Sequence, residues 1–359
     1  MTNLVVSAPA RICLFGEHQD YLGLPVIPAA IDLRITIKGT PRKDKTFNIQ
    51  LPDISSKEEF SFDIDGKIPY ISERDYLRSG VNVVRREGAK LDHGYDCEIR
   101  SKIPINAGAS SSSAMCVAWI KFLLSASEHK YKDDPEKIAY LAYLSEVEEF
   151  GEPGGMMDQC SSAMGSIIFV DFKPEFKITR LTAKLGAFVL GDSLQAKDTT
   201  KTLSRVKKGT LRAVDTIRKQ KPDFNLKTIT LGEIKSILTT LDKEEQLLIE
   251  GGITTRDITR EAKSLFLSDK MTDEKMGDLL NAHQAVLRDK IFVSKPKLDK
   301  MIDASIKAGA LGGKLTGSGE GGCMFAYAPS NPEAVAEAIE KAGGKSYIIN
   351  VAEGVNRIL

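Results

Sequence analysis

Gly313-Lys-Leu-Thr-Gly-Ser-Gly-Glu-Gly-Gly-Cys-Met-Phe-Ala-Tyr327 contains a literal GxGxxG string at Gly317 to Gly322, and the reading of that string decides the fold. A dinucleotide-binding fingerprint needs a strand before it and a helix after it, inside a βαβ unit. Here the glycines run into Cys323-Met-Phe-Ala-Tyr327, which has strand character, so the segment reads as strand, glycine loop, strand. Small residues in such a loop permit close approach by another backbone or a ligand. No GxxxxGK followed by Ser or Thr occurs anywhere, which disfavours a P-loop enzyme. A dinucleotide oxidoreductase is left with the bare string as its only support.

Working outward, the tail continues with a helix over Pro332 to Ala342 and a strand over Ser346 to Val351. Upstream, Lys201 to Asp303 is rich in Leu, Lys, Glu and Arg with few glycines, and predicts a helical subdomain. The first hundred residues read as strand-rich, with β-branched runs over Leu4 to Ala8, Pro25 to Ile37 and Tyr95 to Ile103. Ser111 to Leu124 predicts a helix with Met115, Trp119, Phe122 and Leu123 on a buried face, and Pro135 to Phe150 a second. Gly151 to Gly155 breaks the chain, and Ser166 to Asp171 and Lys177 to Leu190 read as further strands. That order predicts α+β architecture rather than a regular βαβ repeat.

With 359 residues the chain can bury a large core, and 50 Lys plus Arg against 49 Asp plus Glu give it no general basic field. A small-molecule ligand is the expectation, with neither nucleic acid nor membrane as partner. Five scattered cysteines without metal-ligand spacing fit a reduced, cytoplasmic protein, and the N-terminal stretch shows no export signal.

Three further segments carry candidate chemistry. Pro104-Ile-Asn-Ala-Gly-Ala-Ser-Ser-Ser-Ser-Ala114 sets small residues between a strand and a helical run, where convergent N–H groups at a helix start favour phosphate. A plain turn followed by serine N-caps has the same composition. Arg11, Glu17, His18 and Asp20 cluster on a glycine-punctuated turn and suit either a polyhydroxylated ligand or a solvated loop. Asp158, amid glycines and methionines, suits a catalytic base or a helix cap. Glu146, Glu148 and Glu149 close a helix where negative charge opposes the dipole, a misfit that points to a role such as binding Mg²⁺, although plain surface acids are commoner.

Together these loops resemble the GHMP kinase superfamily, which includes galactokinase, homoserine kinase, mevalonate kinase and phosphomevalonate kinase. Arg11-Ile-Cys-Leu-Phe-Gly-Glu-His-Gln-Asp-Tyr21 is similar to the galactokinase signature RxNLIGEHTDY. Pro104 to Ala114 is similar to the family's phosphate loop, Gly151-Glu-Pro-Gly-Gly-Met-Met-Asp-Gln159 to the segment carrying the catalytic aspartate, and Lys314 to Cys323 to the third motif. The resemblance implies two lobes: a strand-rich, ribosomal protein S5 domain 2-like N-terminal lobe over residues 1–194, and a ferredoxin-like C-terminal lobe over 195–359. It also implies ATP and Mg²⁺ as cofactors.

By that likeness Gly108, Ser110, Ser111 and Ser112 cradle the ATP phosphates, and Tyr76 and Leu77 border the adenine. Ser112 and Glu146 hold the metal, Asp158 takes or orients the proton of the attacking hydroxyl, and Arg11 steadies the transferred phosphoryl group. Glu17, His18, Asp20 and Gly155 contact a sugar, while Thr316, Gly317 and Gly319 close over it. The implied activity is a sugar 1-kinase acting on a galactose-like sugar or uronic acid, as monomer or homodimer. Gln19 replaces the usual threonine, and Lys197-Asp-Thr-Thr-Lys-Thr-Leu203 is similar to the TTK segment of mevalonate kinases, which keeps mevalonate kinase as the alternative. A sugar- and ATP-binding sensor without catalysis is the reading from another class.

Overall fold

The computed structural model describes residues 2–61, 66–104, 108–172 and 175–359. The expected strand at Leu4 to Ala8 runs on as β1 (Leu4–Phe15), buried along almost its whole length. Pro9 brings no N–H to a ladder and sits at a register shift against β2 (Ile27–Pro41). The sheet continues with β3 (Thr46–Leu51), β4 (Ser56–Ser61), β5 (Tyr95–Ser101), β6 (Ile167–Asp171) and β7 (Lys177–Leu181). A last short strand, β12 (Asn356–Arg357), makes the order β12-β1-β2-β5-β3-β4, with β6 joined to β2 and β7.

Four helices belong to this lobe: α1 (Tyr76–Arg86), α2 (Ser111–Ala126), α3 (Pro135–Glu146) and α4 (Met157–Met164). Trp119, Phe122 and Leu123 are fully buried as predicted, while Met115 is half-buried. Because α2 is apolar nearly all round, it is a central helix rather than a surface one. It packs on β1 and against α3 and α4. The second predicted helix stops at Glu146, and a single 3-10 turn covers Glu148–Phe150.

The predicted strand over Lys177 to Leu190 is two strands in different sheets: β7, and then β8 (Phe188–Asp192). Between Leu181 and Phe188 the chain crosses from one lobe to the other. There β8 joins β9 (Gly312–Thr316), β10 (Cys323–Tyr327) and β11 (Lys345–Ile349) in an antiparallel sheet of order β11-β8-β10-β9. Taken in chain order the strands lie 4-1-3-2, the split βαβ arrangement of a ferredoxin-like lobe. Antiparallel pairing from Cys323 with Thr316 to Tyr327 with Gly312 gives the glycine string its hairpin.

The helices of the second half are α5 (Thr199–Gln220), α6 (Lys235–Leu238), α7 (Lys243–Leu267), α8 (Asp273–Asp289), α9 (Pro296–Lys307) and α10 (Pro332–Lys341). Ala213, Ile217, Phe224, Ile234, Leu238 and Ile253 form a small core of their own among α5 to α7. The strand β8 precedes residue 195, yet its partners follow it. Val351 and β12 in turn return to the N-terminal sheet, bridging Ile31 and pairing with β1. All five cysteines are buried and unpaired. Among the described residues no helix is long and apolar enough to cross a membrane.

Candidate active site

A cavity of about 390 Å³ opens where the loop after β1, the start of α2, the start of α4 and the β9–β10 hairpin loop meet. Strand β1 delivers Arg11, which is 3% exposed. Its Nε and Nη2 donate to the two oxygens of Asp158 at 2.7 and 2.8 Å, a bidentate fork that fixes both planes. Its Nη1 donates to the Gly108 carbonyl at 2.7 Å. Burial opposes the Arg11 charge, but the attraction and hydrogen bond of Asp158 outweigh it and raise the guanidinium above the ordinary arginine value. Asp158 lies in the first turn of α4, which begins at Met157, so it is not that helix's cap.

Ser110 Oγ also donates to Asp158, at 2.5 Å. A carboxylate has about four acceptor positions. Three are used, and the fourth is open to a ligand. Ser110 itself adopts left-handed backbone angles just before α2, whose first turn comprises Ser111, Ser112 and Ser113 on the cavity wall. The first N–H groups of a helix lack intrahelical partners. The 105–107 part of the expected phosphate loop, Asn106 included, lies outside the described residues.

Gly108 and Gly317 stand back to back, with φ of +92° and +82°. A Cβ on Gly317 would come 2.8 Å from the Gly108 carbonyl oxygen. The loop before α2 in one lobe therefore touches the hairpin loop of the other, and only residues without a side chain allow it.

Glu146 is 7% exposed, and its Oε2 accepts from Gln159 Nε2 at 2.6 Å. Burial raises its pKa, against hydrogen bonds from Ser112, Ser113 and Gln159 that lower it. The Gln159 Oε1 beside it is buried without a partner among the described residues. Among the described residues no three His, Cys, Asp or Glu gather as a metal cage. One carboxylate, a serine hydroxyl and an orphaned amide oxygen fit Mg²⁺, which is commonly held by one or two carboxylates plus substrate phosphates.

The sugar-contact candidates behave differently from one another. Glu17 Oε1 accepts from Gly317 N at 2.9 Å, and Oε2 from Lys314 Nζ at 2.7 Å. His18 donates from Nε2 to the Ser318 carbonyl at 3.1 Å, so its Nδ1 accepts from the Tyr21 hydroxyl at 2.7 Å. Burial lowers the His18 pKa to about 4. Both residues reach the cavity wall, yet both also hold the hairpin: Glu17, 2% exposed, uses each carboxylate oxygen on it, and His18 uses Nε2. Asp20 keeps acceptor capacity, because among the described residues it receives the N–H groups of Tyr21 and, at 3.3 Å, Met157, and no charged donor. Burial, reinforced by the nearby Asp158 charge, lifts it to about 6. Gly155 lies directly against it, where a Cβ would meet Asp20 Oδ2 at 2.3 Å.

Tyr76 borders the cavity, whereas Leu77 points into the core and lends its carbonyl to Trp119 Nε1. Thr316 and Gly319 are not on the lining. The Thr316 hydroxyl accepts from the Cys13 N–H at 3.1 Å, and Gly319 packs on Val293. Four lining residues had no signal of their own in the sequence reading: Arg74, Glu152, Lys197 and Thr199. Arg74, Glu152 and Lys197 come from connecting segments and Thr199 from the first turn of α5, and only the fold brings them together. The TTK-like segment was the one hint toward Lys197 and Thr199.

Comparison with known proteins agrees with this geometry. Models described as GHMP kinases N terminal domain and GHMP kinases C terminal match residues 75–166 and 268–345, and a galactokinase galactose-binding signature matches 2–41. The mevalonate kinase of Pyrococcus furiosus is 31% identical over 364 residues, spanning 97% of this chain and 96% of that protein. The galactokinase of Actinobacillus succinogenes is 25% identical over 381 residues, spanning 99% and 94%. The crystal structure of Lactococcus lactis galactokinase complexed with galactose has a TM-score of 0.86 at 22% identity, covering 99% of this chain and 95% of that one. For Methanococcus jannaschii mevalonate kinase the score is 0.75 at 19% identity, covering 98% and 99%. The chain belongs to the GHMP kinase family, ATP-dependent kinases that transfer a phosphoryl group to an alcohol.

Proposed function

We propose that this kinase phosphorylates a sugar, transferring the γ-phosphoryl group of ATP to the anomeric hydroxyl of a galactose-like sugar or uronic acid. The observation that carries the reading is Asp20, a carboxylate with spare acceptor capacity that lines the same cavity as Asp158. Adjacent sugar hydroxyls are donors that suit such an acceptor, whereas the carboxylate of mevalonate is repelled by it.

In this reading the acceptor hydroxyl donates to the open position on Asp158. Its oxygen bonds to the γ-phosphorus, the bond from that phosphorus to the bridging oxygen of ADP breaks, and the hydroxyl proton passes to Asp158. Arg11 and Ser110 hold the Asp158 carboxylate in one plane for that transfer. The N–H groups of Gly108 and Ser110 to Ser112 bind the phosphates. Mg²⁺, held by Ser112 and Glu146, neutralises charge on the β- and γ-phosphates when bound.

A mevalonate kinase is the second reading, favoured by 31% identity to a protein of that name against 25% to a galactokinase. One experiment separates them. The protein is incubated with Mg-ATP and galactose, galacturonate, glucuronate or mevalonate, ADP release is followed, and the product is identified by phosphorus NMR. We expect a sugar 1-phosphate with kcat/KM at least about tenfold above that for mevalonate, a margin of about 1.4 kcal/mol, and no turnover by Asp158→Asn. Turnover of mevalonate alone overturns the sugar reading.

A further inference from the structure

Among the described residues Lys197 is a cation with no carboxylate paired to it alone. It lies on the segment between β8 and α5 and lines the cavity. Its Nζ donates to a neutral partner, Ser318 Oγ, at 3.3 Å. Among the described residues it joins no ion pair, although Arg11 beside it is matched by Asp158 and the deeply buried Lys314 by Glu17. The Nζ stands 3.0 Å from where a Cβ on Gly108 would be, so the ammonium fills the space left by the phosphate-loop glycine. Its pKa is lowered, first by burial and then by the Arg11 charge. A half-buried ammonium beside a second cation is unfavourable until a negative group arrives.

We propose that Lys197 is a further catalytic residue, whose ammonium binds an oxygen of the phosphoryl group as it passes from ATP to the acceptor. Three features select the phosphoryl group over other anions. Lys197 touches the phosphate loop at Gly108, it faces the Arg11–Asp158 pair at which the acceptor hydroxyl is held, and Ser318 of the hairpin loop fixes its head from the other side. In phosphoryl transfer, charge spreads over the equatorial oxygens in the transition state, and a cation already placed there needs no reorganisation. The backbone beside Lys197 is fixed as well, because Asp198, the next residue, caps α5 by accepting from Lys201 N at 2.9 Å.

The proposal rests on the family's phosphoryl transfer and not on the identity of the acceptor, so it is tested with whichever acceptor the enzyme turns over. In Lys197→Met we expect kcat to fall about 10²- to 10³-fold, the loss typical of removing one preorganised donor. KM for ATP and for the acceptor should move less than about threefold, and Lys197→Arg should regain at least about tenfold in kcat. A second arm needs no turnover. Calorimetric titration of Mg-ADP with and without aluminium fluoride, a planar phosphoryl mimic, should show the Met variant binding Mg-ADP as wild type does. Binding of the fluoride complex should weaken at least about tenfold. Intact Mg-ADP affinity also reports that the variant is folded. Unchanged kcat with unchanged fluoride-complex binding overturns the proposal. So does a raised acceptor KM at constant kcat, which makes Lys197 an anchor for a substrate carboxylate. Failure of every sugar alongside turnover of mevalonate strikes only the sugar reading.

Discussion

Two residues on the β1 loop carry opposite pH signatures, and both follow from burial. Asp20 moves from 3.8 to about 6, so between those values the folded protein holds a proton that the unfolded chain has lost, and stability falls as pH rises through that window. His18 moves from 6.5 down to about 4, so there the unfolded chain holds the extra proton, and stability rises over nearly the same window. Each shift amounts to about 3–3.5 kcal/mol at roughly 1.4 kcal/mol per unit, and the two nearly cancel in wild type. Urea unfolding between pH 4 and 6.5 should therefore expose them separately. Asp20→Asn should gain stability relative to wild type as pH rises, and His18→Asn as pH falls. Parallel curves for wild type and both variants would remove the assignment. Motif reading singled out Arg11, Asp158, Ser110 and Asp20, which the fold brings to one cavity, because each stands in a short segment of recognisable local spacing. It passed over Lys197, which acquires its setting from Gly108 and Ser318, far away in the chain.

At the scale of elements, the hairpin was legible because a glycine loop between two strand-like runs has few other solutions, and the register of β9 with β10 is the simple one. What anchors it was not legible. Lys314 sits on β9 with no exposed surface, and its three protons go to Cys13 O, Leu315 O and Glu17 Oε2 at 2.7–2.8 Å. Glu17 completes the tie through Gly317 N. In sequence Glu17 read as a sugar contact and Lys314 as one motif residue among several, since nothing local pairs positions almost 300 apart. Removing one member leaves the other charge buried and alone, at a cost of about 3–5 kcal/mol. Glu17→Gln and Lys314→Met should each destabilise by that order in urea unfolding. The double variant should lose clearly less than the two losses added, with a coupling of about 2 kcal/mol or more. Additive losses would mean the pair is not a unit. Because the tie also positions Gly317 and Ser318, the single variants should lose kcat more than they gain in KM.

For the whole molecule, the lobes were legible in order, strand-rich first and helical later, but not in their seams, because sheet partners are chosen by tertiary packing rather than local pattern. The chain leaves the first sheet after Leu181, and its last stretch comes back. Arg34 on β2 secures that return. Its Nε donates to Ser7 Oγ at 2.8 Å and its Nη1 to the Glu353 carbonyl at 2.8 Å. Nη2 donates to the carbonyls of Ser7 and Gly354 at 3.0 and 2.8 Å. One guanidinium thus ties β1, β2 and the C-terminal segment, and it is not among the residues that line the cavity. Arg34→Ala leaves several carbonyls short of a donor, and charged hydrogen bonds contribute about 1.5–3 kcal/mol each where they are not replaced by water. Since one of these four contacts is solvent-exposed and the other three are only part-buried, we expect a loss of about 2–3 kcal/mol in urea unfolding. Amide exchange over 351–358 should speed up markedly, while kcat and KM stay within about twofold of wild type. A variant that lost activity without faster exchange in that segment would show Arg34 acting on the cleft instead of on the seam.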